Sequence, residues 1–145
     1  MGVFYGSAKP LMYPLFNQLL GLESYQVNGA YSVMTAWWSL KVFIGAMSDT
    51  QPIRGYRRKP YVLVGWSVAV ALALLTATFG QPTRDSPAWW WLLCFSGINL
   101  GYIVADVAMD SFVTDLAQRE PIAERGQVQS SIYSLRFAAQ AATVR

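Results

Sequence analysis

Two aspartates lie one helical turn apart inside an apolar stretch of the sequence. At about 100° per residue, Asp106 and Asp110 share one face of a helix, and Asn99, seven residues before Asp106, falls on that face too. Two carboxylates this close repel each other, so one of them holds a proton at neutral pH unless a cation lies between them. The face therefore predicts the lining of a polar cavity, with a role in proton relay or in binding a cationic group.

Two cations lie in similarly apolar segments, Lys41 near the end of the first third of the chain and Arg136 near the end of the whole chain. A charged residue at the centre of a membrane-spanning helix costs about 2.5–3.5 kcal/mol on insertion scales, so such residues are either paired or functional. Lys41 could extend its amine to the membrane surface or pair with one of the two aspartates. The same alternatives hold for Arg136. For Asp110, a position near the surface, facing headgroups and water, is the alternative to a functional one.

The helix that carries the two aspartates has a second face with a different use. Gly97 and Gly101 form a GxxxG pair that points roughly away from the acids, and small residues at this spacing permit close contact between helices. We therefore expect one face of this helix to line a polar cavity and the other to pack against a neighbouring helix.

The composition indicates that these elements lie in lipid. Of the 145 residues 54% are hydrophobic and only 13% are charged, whereas soluble domains carry about a quarter charged residues. The sequence has no His and one Cys, Cys94, which excludes His-based catalysis, zinc sites and an intrachain disulfide. We predict no catalytic residues, no metal site and no cofactor.

Apolar segments and the breaks between them predict an all-α, polytopic transmembrane helix bundle of about four to five spans. The segment 60–79 has no charge and is the clearest span, and Pro60 suits the first position of its helix. The chain ends within a helical pattern, so we expect a piece of a longer protein, with residues 1–145 forming a partial N-terminal transmembrane domain. The predicted spans are 8–22 (partial), 27–48, 60–79, 88–112 and 127–145 (partial).

Loop charges predict the orientation of the bundle. The loops 49–59 and 115–126 lie on one side and hold six Lys and Arg residues, whereas 23–26 and 80–87 hold one, Arg84. Because cytoplasmic loops carry the excess of positive charge, the basic loop 49–59 is expected in the cytoplasm of a multi-pass membrane protein. Membrane orientation explains this cluster better than nucleic-acid binding, so lipid is the expected partner. The sequence does not indicate which membrane holds the protein.

The basic loop also carries a specific pattern of residues. A Gly45-x-x-Ser48-Asp49 helix end followed by Gly55-Tyr56-Arg57-Arg58 resembles the loop between the second and third helices of major facilitator transporters. Three stretches point to one family within these transporters: WWSLK (37–41), GAMSDTQPIRGYRRKPY (45–61) and DVAMDS (106–111). They are similar to the P-W-x-x-K helix, the G-x-x-S-D-x-x-P-I-x-G-Y-R-R-x-P-Y loop and the D-V-x-x-D helix of the folate–biopterin transporter family. Gln129 and Ser134-x-Arg136 resemble that family's later Q…S-x-R pattern. Trp37 replaces the family's usual Pro, which predicts a straighter second helix.

The resemblance implies a secondary transporter of folates, pterins or related metabolites that works by alternating access, with substrate bound near the midplane between two six-helix halves. Lys41 and Arg136 would meet an anionic substrate, while Asp106 and Asp110 would bind donor groups of the pterin or couple transport to protons. Asn99 belongs to the same set of candidate residues. The resemblance also implies a latch that closes the cytoplasmic side, with Gly45, Asp49, Gly55, Arg57 and Arg58 as its residues.

Two other classes remain open from the sequence. Asp-x-x-x-Asp also occurs in intramembrane enzymes in which paired carboxylates hold Mg²⁺ against a diphosphate, although no second acidic cluster occurs in an embedded position. Alternatively, the chain is a truncated membrane protein that does not transport. Magnesium-dependent activity would favour the first class, and the reading frame beyond both ends would decide the second.

Overall fold

The computed structural model describes residues 10–53, 55–79, 83, 85–121 and 126–143. These residues form a bundle of helices, and the only bridge between extended residues in this part of the chain joins Ile53 to Tyr56. The predicted all-α class is therefore confirmed. A π-helix, Leu15–Leu19, comes first, and the α-helices follow in the order α1 (Ser24–Ser39), α2 (Lys41–Thr50), α3 (Lys59–Thr78), α4 (Ala88–Gln118) and α5 (Gln127–Thr143).

Two of the described helices, α3 and α4, are long and apolar enough to cross a bilayer. The helix α3 is apolar on all sides, and leucines such as Leu63 and Leu74 remain largely exposed on its surface. A helix of this kind belongs either in a protein core or in lipid. Because these leucines point away from the rest of the chain, lipid or further helices are the surroundings that fit this side of α3.

Small residues hold α3 and α4 together. A Cβ atom added at Gly65 of α3 would lie 2.6 Å from the carbonyl oxygen of Gly101, and one added at Gly101 would lie 2.7 Å from the carbonyl oxygen of Gly65. The two backbones therefore touch, which is possible only with small residues at the crossing point. Gly97 faces the side chain of Leu72 one turn away. The predicted close contact through the GxxxG face of α4 is confirmed.

The helix α4 is the centre of the bundle, since it contacts α1, α2, α3 and α5. One apolar cluster joins Trp91 near its start to Phe16 of the π-helix and Met34 of α1. A second cluster surrounds Tyr102 and Ile103 in its middle. Twelve residues of α4 are buried, and one of them is charged, Asp106. The polar face of α4 thus turns inward, toward α2 and α5.

The predicted span 27–48 is divided in the structure. The helix α1 ends at Ser39, α2 begins at Lys41, and Leu40 between them donates its backbone N–H to the carbonyl of Trp37, three residues earlier. This tightened turn differs from the straight helix that Trp37 in place of Pro predicts. Neither Gly nor Pro occurs at the break, and Lys41, the residue directly after it, reaches across to α4.

Other helix bounds also differ from the predicted ones. The helix α4 continues to Gln118, six residues past the predicted end at 112, because its last turns pack beside α2 and receive Arg58. Both ends of the predicted loop 49–59 are helical, since Asp49 lies in α2 and Lys59 in α3. The parts of the prediction that fall on residues 8–9, Arg54, 80–82, Arg84, 122–125 and 144–145 lie outside the described residues.

Candidate functional site

A network of four charged side chains joins three helices at the middle of the bundle. Its centre is Asp106 on α4, whose side chain is 0% exposed. Lys41 of α2 donates a hydrogen bond from Nζ to Asp106 Oδ2 over 2.9 Å. Arg136 of α5 places Nη2 2.9 Å from Asp106 Oδ1. Leaving a buried charge without its partner costs about 3–5 kcal/mol, so these contacts are a condition for burying Asp106.

Asp106 Oδ1 is satisfied electrostatically but not by hydrogen bonding. Its distance to Arg136 Nη2 is that of an ion pair, but the geometry does not fit a hydrogen bond. Within the described part of the chain, Oδ1 therefore accepts no hydrogen bond. Buried carboxylate oxygens are usually hydrogen-bonded. Oδ1 therefore retains the capacity to accept from a donor group at this position.

Asp110, one turn further along α4, joins the same network more loosely. Its Oδ2 lies 3.3 Å from Lys41 Nζ, and its Oδ1 lies 3.6 Å from Arg136 Nη1. Its side chain is 34% exposed and lies on an open groove of about 290 Å³ between α2 and α4. The two aspartates thus share both cations, which relieves their mutual repulsion, and Lys41 pairs with them rather than extending to the surface.

Two neighbouring side chains hold the network in place, and a third, Asn99, lies outside it. Tyr102, fully buried on α4 one turn before Asp106, accepts a hydrogen bond from Arg136 Nη2 over 3.1 Å. Lys41 Nζ also lies 4.8 Å from the ring centre of Trp38, close enough for a cation–π contact. Asn99 does not reach the charges, because its amide donates to the backbone carbonyl of Met34 in α1.

A second charge network lies at the other end of α2. Arg58, just before α3, donates from Nε to Asp49 Oδ1 over 2.9 Å and from Nη1 to the backbone carbonyl of Ser111 over 2.9 Å. The same guanidinium forms an ion pair with Asp115 of α4. Asp49 and Asp115 are both about half exposed, so each pair alone contributes little. Together they tie the end of α2 to α4.

The turn that delivers Arg58 is tight and depends on glycine. Ile53 and Tyr56 exchange two backbone hydrogen bonds of 3.0 and 3.1 Å, and Gly55 between them has a φ of +82°, which favours glycine. Gly45 lies where α2 approaches α4, and an added Cβ would touch Val107 at 3.4 Å. Arg57 is exposed and forms no ion pair with any described residue.

The structure thus joins Lys41, Asp106, Asp110 and Arg136, joins Asp49 to Arg58, and leaves Asn99 and Arg57 outside both networks. Sequence reasoning missed two members. Tyr102 could have been found from its spacing, since it lies four residues before Asp106 and shares its face. Asp115 gave a weaker signal, because it follows the predicted end of its span and reads as a loop residue.

The comparison with protein families agrees with this arrangement. Residues 2–138 match the model of the BT1 family. The chain belongs to the BT1 family. This membership makes it an integral membrane protein, in keeping with its two long apolar helices, and it indicates a transporter family rather than an enzyme family. The alternative of a magnesium-dependent Asp-x-x-x-Asp enzyme is not supported.

Individual relatives carry a common description. A protein of Synechocystis sp. named folate-biopterin transporter is 33% identical over 111 residues, which are 77% of this chain and 22% of the relative. A protein of Arabidopsis thaliana named probable folate-biopterin transporter 4 is 31% identical over 101 residues, which are 69% of this chain and 20% of the relative. The chain thus spans about a fifth of the length of these relatives. No solved structure matches it.

Proposed function

We propose that this BT1 family chain contributes one wall of a secondary transporter for folate- or biopterin-type pteridines that works by alternating access. The observation that carries the proposal is the buried network of Lys41, Asp106, Asp110 and Arg136. A charged network inside a membrane bundle is costly, and apolar residues of similar volume would often be as stable or more so. Its presence on three helices of a transporter-family chain therefore favours substrate binding or ion coupling.

The chemistry of the network suits a pteridine with carboxylates. Lys41 and Arg136 would bind the anionic glutamate part of a folate, for which a guanidinium provides a planar pair of donors. Asp106 Oδ1, which accepts no hydrogen bond from the described residues, would accept from the amino or ring N–H groups of the pterin in a conformation of the transport cycle that opens this buried side of the network. The names of the relatives support this substrate class.

Proton coupling is part of the same proposal. If a substrate anion separates a carboxylate from its cations, that carboxylate is left in apolar surroundings, where its neutral form is favoured. A proton taken up with the substrate would restore neutrality. Asp110, which is 34% exposed beside the groove, is the acid that water reaches.

The Arg58 network would act as the latch on the cytoplasmic side. Arg58 joins Asp49 of α2 to Asp115 and the Ser111 carbonyl of α4. These helix ends can therefore separate only when the guanidinium breaks its contacts with one of the two helices. We place the loop between α2 and α3 in the cytoplasm because of its positive charge.

The test replaces the two partners separately in the complete natural protein. Asp106→Asn and Lys41→Met are expressed in cells that lack folate uptake, and initial uptake rates of labelled folate are divided by the amount of protein at the membrane. We expect each variant to lose at least about tenfold in uptake, since each leaves an opposite charge without its buried partner. Lys41→Arg, which keeps the charge, should retain more uptake than Lys41→Met.

The control is Tyr25→Phe on the exposed surface of α1, which should leave uptake unchanged. Uptake at the wild-type level in both Asp106→Asn and Lys41→Met would overturn the assignment of the network as a substrate or coupling site. Uptake of neither folate nor biopterin by the wild-type protein would overturn the substrate class.

A further inference from the structure

Asp106 and Asp110 have equivalent positions on one helix face but are held very differently. Asp106 is 0% exposed and lies 2.9 Å from each cation, whereas Asp110 is 34% exposed and lies 3.3 Å and 3.6 Å from them. Asp106 is thus the fixed partner of both cations. Asp110 can leave them at a lower cost, because its carboxylate is partly exposed on the groove and lies further from both cations.

The position of Asp110 is also the one that a foreign carboxylate would take. One of its oxygens faces Lys41 and the other faces Arg136, so the carboxylate bridges the two cations from the open side of the network. The groove is lined by Lys41 and Asp110, so a carboxylate that entered through it would meet Lys41 there and would meet Arg136 on taking the place of the Asp110 carboxylate. It could not meet them from the side of Asp106, which is closed.

Charge balance makes the two carboxylates competitors. The four side chains sum to zero charge, so no net attraction for an anion remains while both aspartates are paired. An anion can pair with the two cations only if one of the aspartates releases them. Asp110 is the aspartate that is held more loosely.

We propose that Asp110 is an internal substitute for the substrate carboxylate, which holds Lys41 and Arg136 between transport cycles and yields them to the substrate anion. This inference rests on the proposed function, since it assigns the order of events at the same site. It gives Asp110 a second role in release: when its carboxylate returns to the cations, it displaces the bound anion. Asp110 therefore weakens substrate binding and speeds substrate release.

The experiment compares two substrates that differ in charge. Folate carries carboxylates and biopterin carries none, so the competition with Asp110 applies only to folate. KM and maximal rate of uptake are measured for both in the complete natural protein, as wild type, Asp110→Asn and Asp110→Glu. Ratios between the two substrates cancel differences in the amount of protein at the membrane.

We expect Asp110→Asn to lower the ratio of the folate KM to the biopterin KM by about two- to fivefold, the range for loss of one partly exposed ion pair. The maximal rate for folate should fall relative to that for biopterin, because release is slowed. Asp110→Glu, which keeps the competing charge, should return both ratios toward the wild-type values. Asp110→Ser serves as a second neutral variant with less steric similarity to aspartate.

Several outcomes would contradict the proposed competition between Asp110 and the substrate carboxylate. A higher folate-to-biopterin KM ratio in Asp110→Asn would show that Asp110 assists folate binding, and an unchanged ratio would show that the two anions do not compete. If neither neutral variant reached the membrane while wild type did, Asp110 would be a structural residue, and the inference would be overturned. If wild type took up neither substrate, the proposed function itself would fail and this inference with it.

Discussion

At the scale of single residues, the network illustrates why charges persist inside a membrane protein. Asp106 is fully buried, and its carboxylate lies 2.9 Å from each of the two cations that flank it. Once the three charges are present, each is stabilised by the others, so a substitution at one position leaves another charge without its partner. Groups that orient the cations become as important as the charges themselves, and Tyr102 is the clearest example.

Tyr102→Phe tests this orienting role. The substitution removes the hydroxyl that accepts from Arg136 but keeps the buried ring, which packs edge-on against Trp66 at 6.4 Å between ring centres. A hydrogen bond to a charged group contributes about 1.5–3 kcal/mol, so we expect the folate KM to rise about tenfold or more. Maximal rate should change less, because Arg136 keeps its ion pair with Asp106.

The measurement is again uptake kinetics at equal membrane expression, with Tyr25→Phe on the exposed face of α1 as the matched loss of a hydroxyl. Equal effects on KM and maximal rate would point to general destabilisation instead. An effect of Tyr102→Phe no larger than that of Tyr25→Phe would show that Arg136 needs no orientation by Tyr102.

Much of the network could be predicted from sequence, and the missing parts have physical causes. The cost of a lone charge in lipid indicated that Lys41, Asp106 and Arg136 need partners. It could not indicate which cation meets which acid, because that depends on how α2 and α5 are placed against α4. The amide of Asn99 lies on the predicted face yet bonds to a backbone carbonyl, which no side-chain pattern reveals.

At the scale of helices, α4 keeps its two functions on opposite faces. One face carries Asp106 toward α2 and α5, and the other carries Gly101 against the backbone of Gly65 in α3. Periodicity and small residues in the sequence predicted this division. The break at Leu40 could not be predicted, since the local sequence has neither Gly nor Pro and the contacts of Lys41 are made with a distant helix.

Gly101→Ala tests the close contact between α3 and α4. The new Cβ would lie 2.7 Å from a backbone oxygen and 3.0 Å from a backbone nitrogen, so the helices must move apart. Overpacking of this kind costs about 1–3 kcal/mol, and we expect a lower thermal unfolding midpoint in detergent. Gly97→Ala should cost less, because the atom it meets, at 2.6 Å, ends the flexible side chain of Leu72.

Gly29→Ala is the matched control, since Gly29 lies in α1 with nothing within 4 Å of an added Cβ. Alanine is the better helix former, so this variant should unfold at an equal or higher temperature. If Gly101→Ala were as stable as Gly29→Ala, the helices would not be in contact at this position in the membrane.

At the scale of the whole molecule, the two charge networks lie along the same helices. Lys41 and Asp49 are eight residues apart in α2, or about 12 Å at 1.5 Å per residue, and Asp106 and Asp115 are nine residues apart in α4. The Lys41–Asp106 network therefore lies well inside the bundle, and the Arg58 network lies at its end. If the loop between α2 and α3 faces the cytoplasm, this separation would allow the Arg58 network to close the cytoplasmic side while a substrate is bound at the Lys41–Asp106 network.

Cysteine labelling tests that orientation directly. Gln51 and Thr83 are exposed in the loops at opposite ends of α3, so a spanning α3 places them on opposite sides of the membrane. In the complete natural protein with Cys94 and any other native cysteines replaced by alanine, we expect a membrane-impermeant maleimide to label Thr83→Cys in intact spheroplasts and Gln51→Cys only after permeabilisation. The buried Cys94 is replaced so that it gives no background. Labelling in the reverse order would place the Arg58 latch on the outside and overturn its proposed role, whereas labelling of both cysteines from one side would mean that α3 does not span the bilayer.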